Sequence, residues 1–132
     1  MRRPLLLLAL LLLPFASQAG PDVLRVGASA ELMPVLEPLV DRYQVETRNK
    51  VLLIGGSNDE LGEQVRQGTP YDLLIADQPA PLAHLHHQGH GDKPLPAGCT
   101  AGRMEELTLV SGPRRELATH FLDYLKQHCG DH

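Results

Sequence analysis

Short apolar runs that favour β-strands alternate with amphipathic helical patterns along most of the chain. The strand-like runs are residues 23–26, 51–54, 71–76 and 107–110. The run at 51–54 is apolar at every position, which is typical of a strand buried on both faces of a parallel sheet. Strands that alternate with helices predict an α/β fold: a single open, mostly parallel sheet with helices on both faces.

The helical patterns carry recognisable start and stop signals. Leu32, Leu36 and Leu39 recur at spacings of three and four residues, but Pro34 and Pro38 interrupt the pattern, so this helix is expected to start late or to bend. Residues 57–60, Ser-Asn-Asp-Glu, have the form of a capping box. A helix is predicted over residues 78–88, a loop over 89–102, and a last helix from Pro113 onward.

Residues 1–19 have the three-part layout of a secretory signal peptide. Arg2 and Arg3 give a positive start, residues 5–13 form an apolar run, and Ser17-Gln18-Ala19 is a small-residue cleavage site. A membrane anchor is the alternative, but the apolar run is shorter than the ~20 residues that span a bilayer. We therefore expect export to the periplasm, a single domain over residues 20–132, and no membrane span after cleavage.

The composition bears on partners and on redox state. The formal net charge is −4, tryptophan is absent and aromatic residues make up 4% of the chain, which argues against a nucleic-acid partner. Cys99 and Cys129 both lie after the cleavage site. In an oxidising compartment they are expected to form a disulfide; two free thiols that bind a metal are the alternative.

Several of these segments resemble the molybdate-binding proteins of ABC importers, which have the type II periplasmic-binding-protein fold. The resemblance is carried by the strand that ends in Gly27-Ala28-Ser29, by Ile54-Gly55-Gly56-Ser57, and by residues 67–72, Gln-Gly-Thr-Pro-Tyr-Asp. Residues 74–78 and 107–126 continue it. It implies one lobe of such a protein. The family has two lobes that clamp an anion, and the segment that would form the second lobe is absent between about His90 and Glu105.

The resemblance maps Ser29 and Ser57 onto contacts to an oxyanion such as molybdate or tungstate. Both serines lie where a strand pattern gives way to a helical one, so hydroxyl and backbone N–H groups would converge there. The competing interpretation is that both serines are only helix N-caps. Three carboxylates in the same first helical turns would repel a dianion: Glu31, Asp59 and Glu60.

A histidine cluster suggests a different ligand. His84, His86, His87 and His90 recur at helical spacings of three and four residues, which suit chelation of Zn or Cu. The alternative is a solvated helix end, where histidine complements the negative end of the helix dipole.

Three hypotheses about function follow. The first is a periplasmic solute-binding protein for oxyanions that works with an ABC permease and whose cleft is closed by a second protein or by a homodimer. The second is an accessory or interaction protein derived from that fold. The third is a periplasmic Zn- or Cu-binding protein. No grouping of catalytic residues favours an enzyme, and Asp72 and Asp77 are expected to be structural.

Overall fold

A computed structural model describes residues 23–96, 105–108 and 113–128. The strands are β1 (Val23–Ser29), β2 (Lys50–Gly56), β3 (Leu73–Ala76), β4 (Leu95–Pro96) and β5 (Glu105–Thr108). The helices are α1 (Met33–Thr47), α2 (Asn58–Arg66), α3 (Pro79–His87) and α4 (Pro113–His128), and a 3₁₀ turn (Ala30–Leu32) precedes α1. No helix within these ranges is long and apolar enough to cross a membrane.

The five strands form one sheet in the order β2-β1-β3-β5-β4. β1 pairs in parallel with both β2 and β3, whereas β5 runs antiparallel to β3 and to β4. The α/β class, with an open sheet built on parallel strands, is confirmed. The reversed β5 was not expected, and the short strand β4 lies inside the segment predicted to be a loop.

Helices cover both faces of the sheet, as predicted. On one face, α1 and α4 pack against Leu24, Val26 and Ile75, all fully buried. On the other face, α2 and α3 pack against Leu74 and Ala76. Successive side chains along β1 and β3 point to opposite faces of the sheet, so each strand contributes to both apolar clusters.

The boundaries of the helices follow local chemistry. The 3₁₀ turn ends at Leu32 and α1 begins at Met33, so that Pro34 falls in the first turn, where its missing N–H costs no hydrogen bond. Pro38 is accommodated within the helix on its exposed side. The helix therefore begins ahead of both prolines and continues through Pro38, so the predicted late start is wrong, and the alternative of a bend stays a prediction.

Gly27 allows a close approach between the sheet and its neighbours. A Cβ atom built at this position would lie 2.7 Å from Leu74 Cδ2, 3.0 Å from Tyr71 Cε1 and 3.2 Å from Leu61 Cδ2. These side chains belong to the cluster under α2 and α3. Glycine is therefore required for packing at the centre of β1.

Candidate functional site

The strand register brings the carboxyl ends of β1, β2 and β3 to one edge of the sheet. Ser29 at the end of β1 is in register with Gly56 at the end of β2, so Ser57 follows immediately beside it. Ala28 is in register with Ile75, which places Asp77, just after β3, at the same edge. In open α/β sheets the crevice beyond the carboxyl ends of parallel strands is the usual ligand site.

Ser29 is fully buried and is hydrogen-bonded to both neighbouring strand ends. Its hydroxyl donates to Asn58 Oδ1 over 2.5 Å and accepts from the backbone N–H of Asp77 over 3.3 Å. It makes no side-chain capping bond to the 3₁₀ turn that follows it. The interpretation of Ser29 as a simple N-cap is therefore wrong: its hydroxyl ties the three strand ends together.

Ser57, by contrast, is the N-cap that its sequence pattern predicts. Its hydroxyl accepts from the backbone N–H of Glu60 at 3.0 Å, and Glu60 Oε1 accepts from the backbone N–H of Ser57 at 3.0 Å. The backbone N–H of Ser57, and secondarily its hydroxyl, lower the pKa of the Glu60 carboxyl below its ordinary value. The capping box is confirmed, and it occupies the Ser57 hydroxyl as a hydrogen-bond acceptor.

Asn58 and Asp77 complete the site, although the sequence did not single them out as binding residues. Asn58 Nδ2 donates to Asp77 Oδ1 over 3.2 Å, while Asn58 Oδ1 holds the Ser29 proton. These two side-chain bonds and the bond from the Asp77 backbone N–H to the Ser29 hydroxyl link the three residues, which we call the Ser29–Asn58–Asp77 network. The available signal was weaker for Asn58 than for Asp77, because Asp77 directly follows the predicted strand 71–76 whereas Asn58 lies four residues beyond the predicted strand 51–54.

The first turn of α2 offers backbone donors to a ligand. The N–H groups of Asn58 and Asp59 lie in the first turn, where an α-helix has no internal acceptors, whereas that of Glu60 is capped. These donors and the positive end of the nine-residue helix favour an anion. The exposed carboxylates of Glu31, Asp59 and Glu60 oppose it, so the local electrostatics are mixed.

The predicted metal ligands lie at or just beyond the last turn of α3. His86 Nδ1 is 3.1 Å from the carbonyl oxygen of Gly91, and the rings of His86 and His87 are 5.8 Å apart. His84 lines a groove of about 290 Å³ between α2 and α3, together with Asp59 and Arg66. Within residues 23–96, 105–108 and 113–128, no three His, Cys, Asp or Glu side chains group as a metal site. Metal binding stays a prediction.

The predicted disulfide and signal peptide lie elsewhere. Cys99, Cys129 and residues 1–19 fall outside the residues that the structure describes. Both interpretations therefore remain predictions from the sequence.

One open sheet with helices on both faces is the fold of a periplasmic-binding-protein lobe. The chain belongs to the bacterial extracellular solute-binding protein family, whose sequence model matches residues 24–105. That match includes Ser29, Ser57, Asn58 and Asp77. No curated protein sequence matches the chain significantly.

Solved structures show the same fold at low sequence identity. The substrate-binding domain assigned to a molybdenum ABC transporter of Clostridium difficile is 22% identical, with a TM-score of 0.53 over 58% of this chain and 35% of that one. The periplasmic molybdate-binding protein of Azotobacter vinelandii is 21% identical, with a TM-score of 0.53 over 56% of this chain and 33% of its own. A substrate-binding domain from Wolinella succinogenes is 14% identical, with a TM-score of 0.50. The chain thus spans about a third of the length of the two molybdenum-related structures.

Proposed function

We propose that the protein is a periplasmic solute-binding lobe that receives a small oxyanion, of the molybdate or tungstate type, at the carboxyl ends of β1 and β2. One observation supports the proposal: Ser29 is in register with Gly56, so Ser29, Ser57 and the first-turn N–H groups of α2 lie at the same edge of the sheet. An anion there would accept from backbone N–H groups at the positive end of the helix.

The family and the structural neighbours support this function. The family is one of extracellular solute-binding proteins, and two solved structures of similar fold are a periplasmic molybdate-binding protein and a substrate-binding domain assigned to a molybdenum ABC transporter. A solute-binding protein of this kind would deliver its ligand to an ABC permease. The permease is the partner we propose, and the periplasm is the compartment.

A single lobe would leave the ligand open to solvent on one side. The segment between α3 and β5, residues 88–104, is too short to fold into a second lobe of comparable size. We therefore propose that a second protein closes the crevice when the solute is bound. The proposal requires that the isolated lobe bind the oxyanion measurably, although not tightly.

The test is thermal unfolding of the purified protein with molybdate, tungstate and sulfate. A ligand at about a hundred times its Kd stabilises the native state by about 2.7 kcal/mol, which raises Tm. Ser57→Ala removes the N-cap that orders the N–H donors of α2, so it should reduce the ligand-induced rise. Thr119→Ala is a matched control, because it removes an exposed hydroxyl on α4 and should preserve the rise.

Two results would contradict the proposal. An unchanged Tm with every oxyanion would favour the accessory or interaction role. A rise with Zn or Cu alone, abolished when His86 and His90 are replaced, would favour the metal-binding role. Because Ser57→Ala also removes a helix cap, which costs about 1 kcal/mol, its ligand-induced shift must be read against its own unliganded Tm.

A further inference from the structure

The orientation of the Asn58 amide is fixed by Asp77. An ionised carboxylate can only accept hydrogen bonds, so the side-chain group 3.2 Å from Asp77 Oδ1 must be the amide nitrogen of Asn58. The amide oxygen then faces Ser29 and can only accept. The hydroxyl of Ser29, 2.5 Å away, must therefore be the donor.

In this arrangement the hydroxyl proton of Ser29 is already donated to Asn58 and is not available to an anion. A serine hydroxyl has a single O–H donor, and here it points to Asn58 Oδ1. A lone pair of the same oxygen accepts from the backbone N–H of Asp77. A ligand oxygen can accept from Ser29 only if the bond to Asn58 breaks.

Resting on the proposed function, we propose that Asn58 limits the affinity of the site because its amide oxygen competes with the oxyanion for the Ser29 proton. With the amide in place, the site offers an anion mainly the backbone N–H groups of Asn58 and Asp59. Without it, the Ser29 hydroxyl turns to the ligand and adds a charge-assisted hydrogen bond. Since such a bond contributes on the order of 1.4 kcal/mol, which is a factor of ten, Asn58→Ala should bind the oxyanion about tenfold more tightly.

The experiment is calorimetric titration of the purified protein with molybdate and with tungstate. Asn58→Ala should gain about tenfold in affinity, and the gain should disappear in the Ser29→Ala, Asn58→Ala double variant, because no hydroxyl remains to be released. Gln67→Ala is the control, since it removes an exposed amide at the other end of α2. Asn58→Gly, which also lacks the amide, is a second variant in case the alanine variant fails to fold.

The outcomes separate this inference from the proposed function. If the wild type binds and Asn58→Ala binds equally or more weakly, Asn58 is not a competitor and the inference is overturned, while the proposed function stands. A gain that persists in the double variant overturns it too. If neither the wild type nor any variant binds an oxyanion, both fail.

Discussion

Asp72, just before β3, and Arg25, in β1, are joined by a reciprocal pair of hydrogen bonds. The backbone N–H of Asp72 donates to the carbonyl oxygen of Arg25 at 2.8 Å, and the backbone N–H of Arg25 donates to Asp72 Oδ2 at 2.8 Å. The other carboxylate oxygen accepts from Arg114 Nε at 3.1 Å. A carboxylate that is only 3% exposed thus joins β1, the start of β3 and α4.

Replacing Asp72 should therefore destabilise the fold. Asp72→Ala leaves the Arg25 N–H without its acceptor and should lower the free energy of unfolding by about 2 kcal/mol. Asp72→Asn keeps one acceptor but turns a donor toward Arg114, so its loss should be smaller. Urea unfolding measures both, with exposed Asp123→Ala as the control. A loss no larger than that of the control would show that the bonds contribute little.

Gly27→Ala should destabilise the protein by overpacking. Its Cβ atom would lie 2.7 Å from Leu74 Cδ2, so the cluster under α2 and α3 must shift, at a cost of about 1–3 kcal/mol. Gly56→Ala is a matched control in β2, because its Cβ atom meets nothing closer than 3.5 Å. Equal unfolding midpoints for the two variants would contradict the packing argument.

The capping carboxylate predicts a dependence of stability on pH. The pKa of Glu60 is lowered in the folded state by the backbone N–H and hydroxyl of Ser57. A lowered folded pKa gives stability that is present above the unfolded value, 4.5, and is lost as the pH falls through the folded value. Wild type should be more stable than Glu60→Gln at neutral pH, and the difference should shrink below about pH 4. If the urea midpoints of wild type and Glu60→Gln differ as much below about pH 4 as at neutral pH, the prediction is contradicted.

The tyrosines predict the opposite behaviour in alkali. Burial raises the pKa of all three, Tyr43, Tyr71 and Tyr124, and for Tyr124 the neighbouring Glu46 adds to the effect. A raised folded pKa gives stability that is present below the unfolded value, 10.0, and is lost as the pH rises through the folded value. Absorbance titration of phenolate should show ionisation above pH 10.0 in the folded protein and near it in urea. A native tyrosine that ionises at or below that value would refute the prediction.

Local patterns in the sequence predicted the features that depend on neighbouring residues. The Ser57 and Glu60 pair are three residues apart, so the capping box could be recognised directly. The helix predicted over residues 78–88 matches α3, Pro79–His87, with Gln78 and Gln88 as its caps. Alternating strand and helix patterns were sufficient for the fold class.

Contacts between distant segments could not be predicted in the same way. Ser29 meets Asn58 across 29 positions and Asp77 across 48, and both contacts depend on the register of three strands. The direction of β5 could not be predicted either, because it becomes evident only from the antiparallel pairing with β3. The register sets the two serines at one edge of the sheet, but their role in binding stays a prediction, and the hydrogen bonds of Ser29 were not visible in the sequence pattern.

The most direct test is a crystal structure of the protein with tungstate, located by the anomalous scattering of tungsten. The account predicts a tungstate ion within hydrogen-bond distance of the Asn58 and Asp59 backbone N–H groups, beside Ser29. Tungstate bound only elsewhere, for example at the histidines of α3, or a crevice that stays empty at saturating tungstate, would contradict it.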